Sequence, residues 1–204
     1  KDATTCISVT VYQNRAYMGI SLLEDNVSDW TGGILFFSKN DSVICRAEFK
    51  IEEAFKVFDI NITDNMRALD LGAAPGGWTH FLSEKGIHVD AVDPAGLDDR
   101  VTAGDIVTHY KMTAQEFTRL YPNNYYDIIV NDMKMDTNES IDIMCEMSKQ
   151  LKDKGICILT LKLPKQNVQK RINIAKEVLL KRFRVVKIRH LYYNRSEVTV
   201  YMRM

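Results

Sequence analysis

The chain has 204 residues, 27 of them basic and 27 acidic, with 46% hydrophobic residues and four cysteines, enough for one α/β domain and a small appendage. No apolar run reaches the eighteen residues of a membrane span and no signal peptide is visible; Cys6, Cys45, Cys145 and Cys157 are too scattered for a zinc cluster or a disulfide framework, so no metal and a reducing, cytoplasmic setting are expected. The zero net charge is unevenly spread: residues 151–204 hold fourteen Lys/Arg against three Asp/Glu, a balance that suits a phosphate backbone, although Lys176, Lys181 and Arg182 also fit a solvated helix face.

Residues 4–12 alternate in the manner of a strand, Gln13-Asn14-Arg15 reads as a turn, and residues 16–23 return as a second strand. Residues 24–45 are polar and turn-rich, with Trp30 as an anchor candidate. Residues 1–45 therefore read as a hairpin and linker preceding a main domain at 46–204. A helix follows over 48–58, with Phe49, Ala54, Phe55 and Phe58 as its apolar stripe. From there β and α units alternate. Strands are expected at 67–72, 88–93, 105–110, 126–132 and 155–162, with helices at 76–86, 113–120, 137–153 and 166–181. That alternation implies a doubly wound, mostly parallel sheet with helices on both faces. The last two strands, near 183–191 and 196–203, have only a four-residue turn between them. That is too short for a parallel crossover, so they should form an antiparallel hairpin.

The organising stretch is residues 69–82, LDLGAAPGGWTHFL, a strand, a glycine loop and a helix start. Gly72, Gly76 and Gly77 allow close approach of something large, and Pro75 suits the entry to a helix. Asp70 offers a carboxylate to the same crevice, and Trp78 opens the helix beyond it. Neither GxGxxG nor a phosphate loop is present, and no basic residue lies in the turn. Asp93, some twenty residues on, suits a ribose diol, so a nucleoside fits better than a dinucleotide. An ordinary Gly-rich turn would look similar.

Four charged residues stand near apolar runs: Lys50 in the first helix, Asp132 after IIVN, Lys162 after ILTL, and Glu197 before VTV. Singly, each has an ordinary reading as a surface or ion-paired side chain. Strand ends of an open α/β sheet converge on one crevice, however, which would bring Asp132 and Lys162 together. A desolvated lysine beside another cation can lose its proton and act as a base.

Five segments in order, RAEFKIEEAF, LDLGAAPGGWTHFL, NDM, LKLP and SEVTVY, resemble the FtsJ-like RNA ribose 2′-O-methyltransferases, over roughly residues 45–204. Within that family the likeness is greatest to the branch acting on cytidine in 23S rRNA, whose members carry an RNA-binding THUMP domain before the catalytic one. The resemblance implies a Rossmann-like methyltransferase fold with a seven-stranded sheet, and makes residues 1–45 the tail of such a THUMP-like module. It implies S-adenosylmethionine as methyl donor, S-adenosylhomocysteine as product, RNA as partner and no membrane, with a monomer favoured. It places a Lys-Asp-Lys-Glu tetrad on Lys50, Asp132, Lys162 and Glu197. Cofactor contacts fall on Ala74, Pro75, Gly76 and Gly77, on Asp93 for the ribose, and on Asp132 near the methionine part. Thr113 stands where an acidic residue commonly meets the adenine amino group. The alternatives are a non-catalytic RNA-binding module that kept the fold, or a methyltransferase for the cap ribose of messenger RNA. Base-nitrogen methylation is disfavoured, because NDMK lacks the proline and aromatic residue it usually carries.

Overall fold

The computed structural model describes residues 3–26, 37, 42–63, 65–122 and 125–204. Trp30 lies outside the described residues. The chain divides into two compact units, Lys1–Ser38 and Lys39–Met204.

The first unit holds β1 (Thr5–Tyr12) and β2 (Arg15–Leu22), paired antiparallel. The turn is tighter than the three residues expected. Gln13 and Asn14 both take positive φ, 46° and 61°, as a two-residue turn matched to strand twist requires.

The second unit begins with α1 (Glu48–Val57) and continues through β3 (Arg67–Leu71), α2 (Gly77–Glu84), β4 (His88–Val92) and β5 (Val107–Tyr110). Next come α3 (Ala114–Leu120), β6 (Tyr126–Asn131), α4 (Thr137–Met147), β7 (Leu151–Lys162) and α5 (Val168–Leu180). It ends with β8 (Val185–Arg189) and β9 (Glu197–Arg203). The seven strands form one sheet in the order β5-β4-β3-β6-β7-β9-β8. Six run parallel. Only β9 runs against its neighbours, inserted between β7 and β8. The expected antiparallel end pair is present, and the connection from β8 to β9 spans residues 190–196 rather than four residues.

Alternation along the central strands builds three layers. Leu69, Leu71, Ile129, Leu159 and Leu161 face α3, α4 and α5, meeting Phe117, Met144 and Leu179. Ala68, Ile128, Val130 and Ile158 face α1 and α2, meeting Ile51, Phe55, Trp78 and Leu82. The crevice at the carboxyl ends of β3 and β6, where the strand order reverses, lies above both cores.

One boundary differs from the periodic pattern. The helix expected to reach residue 153 stops at Met147, a short 3-10 turn follows, and β7 begins at Leu151. Leu151 pairs with Tyr126, and Lys152 reaches Asp127 at 2.8 Å. The strand then buckles at Lys154, whose φ is 65°, before resuming its register at Ile156. Gly155 makes the buckle possible, since a Cβ there would lie 2.6 Å from Leu151 Cγ. A polar LKDKG segment disguises this half of the strand as a helix end.

Candidate active site

Four separate segments deliver charge to one cleft. Helix α1 supplies Lys50, the loop after β6 supplies Asp132, and the paired strands β7 and β9 supply Lys162 and Glu197, which stand directly opposite each other. Lys50 Nζ lies 3.0 Å from Asp132 Oδ2 and 2.8 Å from Glu197 Oε1. Lys162 Nζ lies 3.2 Å from Asp132 Oδ1 and 3.8 Å from Glu197 Oε1. All four residues picked from sequence therefore meet. Thr160, which the sequence reading missed, joins them by donating its hydroxyl to Asp132 Oδ1. The available signal was spacing: Thr160 is two residues before Lys162, hence on the same face of β7.

The two lysines are not equivalent. Lys50 is buried between both carboxylates, although a lysine on an amphipathic helix is ordinarily at the surface. Burial opposes its charge, but Asp132 and Glu197 outweigh that and hold its pKa above the usual lysine value. The expectation of a lysine driven towards neutrality therefore fails for Lys50, which remains a cation. Glu197 matches it: burial favours its neutral form, but Lys50, followed by Lys162, holds its pKa below the usual carboxylate value. Lys162 is farther from both carboxylates and keeps 27% of its side chain exposed, so it is the amine the cleft presents to an incoming group.

The glycine loop shapes a second cleft beside this one. A depression of about 410 Å³ is lined by Gly72, Ala74, Asp93, Thr113, Asp132 and Met135, among others. A narrower recess reaches Asp70, Pro75, Gly77 and Trp78, and Asp132 borders both. Asp93 bridges the two loops, accepting from the backbone N–H of Ala74 at 3.1 Å and of Ala95 at 2.8 Å. A carboxylate has about four acceptor sites, so capacity remains for a diol.

Several residues expected as ligand contacts also serve the fold. Gly76 and Gly77 permit a close approach of the chain to itself: a Cβ would lie 2.8 Å from Val101 Cγ2 at Gly76 and 2.6 Å from Cys45 Sγ at Gly77. Gly72, with φ 73°, lies against the Met133 side chain. Trp78 is buried, and its indole N–H donates to the Ala47 carbonyl at 2.8 Å. Asp70 lies within β3 rather than at its end. It is fully enclosed and accepts from the Thr79 hydroxyl at 2.6 Å. Thr113 is the N-cap of α3 in a reciprocal capping box with Glu116, so its hydroxyl is already engaged.

Among the described residues no cluster of His, Cys, Asp and Glu could hold a metal, and no helix is long and apolar enough to cross a membrane. The fold neighbours include human methyltransferase-like protein 13 in complex with SAH, at a TM-score of 0.60 and 12% identity over 78% of this chain and 82% of that one. Two curated relatives are named ribosomal RNA large subunit methyltransferase M. The one from Azoarcus sp. (strain BH72) is 33% identical, covering 89% of this chain and 52% of the relative. The one from Thauera aminoaromatica is also 33% identical, covering 87% and 50%. The chain thus spans about half the length of the curated relatives it matches. The model of the FtsJ-like methyltransferases matches residues 43–197, which contain the whole charged cleft, and the chain belongs to that family.

Proposed function

We propose that this chain transfers a methyl group from S-adenosylmethionine to a ribose 2′-hydroxyl of RNA, with 23S rRNA as the substrate and the cytoplasm as its setting. The observation that carries the reading is the meeting of Lys50, Asp132, Lys162 and Glu197 in one cleft bordering the glycine-loop depression. The relatives named as ribosomal RNA methyltransferases support the choice of substrate. So do three exposed cations at the rim of the charged cleft, Arg46, Lys134 and Arg195. Their side chains form no ion pair among the described residues, which leaves them available to phosphates.

Gly72, Ala74 and Asp93 would hold the nucleoside part of S-adenosylmethionine, with Asp132 beside its charged end; the donor-set chemistry fits, with an acid for a diol and a second acid for a cation. When bound, that cofactor supplies a methyl group on a positively charged sulfur. The chain's own residues then prepare the acceptor. Lys162, entering the step as the neutral amine, would orient the 2′-hydroxyl and receive its proton as the oxygen takes the methyl group and the sulfur keeps the bonding pair. Asp132 and Glu197 fix Lys162, while Lys50 pairs with both carboxylates and favours the ionised form of Glu197. Most of the rate then comes from positioning. Lys162→Ala should lower methyl transfer to a 23S rRNA transcript by roughly 10²–10⁴-fold, while calorimetry shows S-adenosylmethionine binding retained. An active Lys162→Ala protein would overturn the assignment, and a wild type that binds no S-adenosylmethionine would reduce the chain to an RNA-binding module.

A further inference from the structure

Beyond the charged cleft, on the other side of Lys162, lies an open depression of about 460 Å³. Its volume falls in the roughly 300–1,000 Å³ range of ordinary ligand pockets. It is built by the end of β7, the loop into α5, the first turns of α5 and the start of α4. Met135, Leu163, Pro164 and Ile174 give its walls an apolar part, while Asp136, Lys170 and Arg171 line the rest, with Arg171 Nη2 3.8 Å from Asp136 Oδ2. The amides of Gln166 and Asn167 stand at its rim. Neither amide has a partner among the described residues, and Asn167 precedes α5 without capping it through its side chain.

The placement is more informative than the lining. Met135 borders the glycine-loop depression, the charged cleft and this third depression alike, and Lys162 borders the last two. The methyl donor's place, the acceptor hydroxyl's place and the third depression therefore lie side by side. A ribose whose 2′-oxygen meets Lys162 has two substituents to accommodate, its phosphates and its base. The charged cleft, rimmed by Arg46, Lys134 and Arg195, suits the phosphates. An apolar floor for a flat ring face, with amides that both donate and accept at its edge, suits the base.

We propose that this depression receives the base of the acceptor nucleotide, unstacked from its neighbours, with Gln166 and Asn167 reading its hydrogen-bonding edge. The proposal rests on the ribose-methylation reading above. It makes the residues around α5 determinants of which nucleotide is modified, a role separate from the tetrad's.

Two substitutions in the full chain test it. Ile174→Trp fills the depression from α5. Asn167→Gly removes the amide and keeps the left-handed backbone, since Asn167 has φ 56° and ψ 31°, which glycine adopts freely. Val178→Trp, one turn further along α5 and outside this depression, is the control. With a 23S rRNA transcript, both depression variants should lose about 10- to 100-fold in kcat/KM. Their S-adenosylmethionine affinity and thermal midpoints should match the wild type, and Val178→Trp should keep wild-type kinetics. Wild-type kinetics in both depression variants, with the methyl group still on a ribose, would overturn the base pocket and leave the ribose reading intact. A methyl group found on a base of the wild-type product would overturn the ribose reading and the pocket with it.

Discussion

Asp70 shows what enclosure does to a single carboxyl. Burial raises its pKa to about 7, against an ordinary value near 3.8, and the Thr79 hydrogen bond only partly offsets this. The folded state therefore holds a proton on Asp70 through a window, about pH 4 to 7, in which the unfolded chain has released it. Stability from this group is present below that window and is lost as pH rises through it. Asp70→Asn should keep the Thr79 contact, so it should raise the thermal midpoint relative to wild type at pH 8 and change it much less at pH 4. Equal shifts at both pH values would show that Asp70 ionises freely. Nothing in LDLGAAPGG shows that Asp70 is buried; alternation along β3 turns it towards α2, where Thr79 meets it at the lining of the narrow recess.

At the scale of elements, α1 does more than carry Lys50. One turn on, buried Glu53 accepts the backbone N–H groups of Tyr192 and Tyr193, at 2.8 and 3.0 Å. This fastens the loop that leads into β9, and so fixes where Glu197 begins. Removing the carboxylate strands both donors. Glu53→Ala should cost about 1–3 kcal/mol of stability, read by denaturant unfolding, and should lower methyl transfer more than S-adenosylmethionine binding. The order of strands and helices was legible because apolar periodicity switches from two to between three and four residues at each element. The clamp was not, since Glu53 and the two tyrosines are 139 and 140 positions apart and no local pattern links them. The start of β7 was hidden for another reason: its buckle at Lys154 interrupts the alternation that marks a strand. From strand pattern alone the tetrad was legible only in part, and the family resemblance named all four. Strand ends predict that Asp132 and Lys162 converge, but that Lys50 is enclosed and Glu197 faces Lys162 depends on β9 entering the sheet beside β7.

For the molecule as a whole, neutrality conceals an organised surface. Each rim cation sits a few residues from a tetrad member on the same segment: Arg46 before Lys50, Lys134 after Asp132, and Arg195 before Glu197. Groups proposed for catalysis and groups proposed to grip phosphate thus share the same short stretches of chain. Replacing Lys134 or Arg195 with alanine should weaken RNA binding without regard to sequence. Each replacement should also flatten the dependence of log affinity on log salt by about 0.7, the value for one single-stranded phosphate no longer neutralised. Filter binding across a salt series would measure it, and an unchanged slope would remove that residue from the phosphate-binding set.

The insertion of β9 between β7 and β8 also has a consequence in time. Chains are made from the amino end, and β9 is the last strand of the seven-stranded sheet to be translated. Until it emerges, β7 has no partner on that side, Glu197 is missing, and Lys50 has only Asp132 to neutralise it. A growing chain can thus shape the glycine loop early, while the charged cleft proposed for methyl transfer stays incomplete. The cleft gains its fourth charge in one late step, when the antiparallel strand enters beside β7.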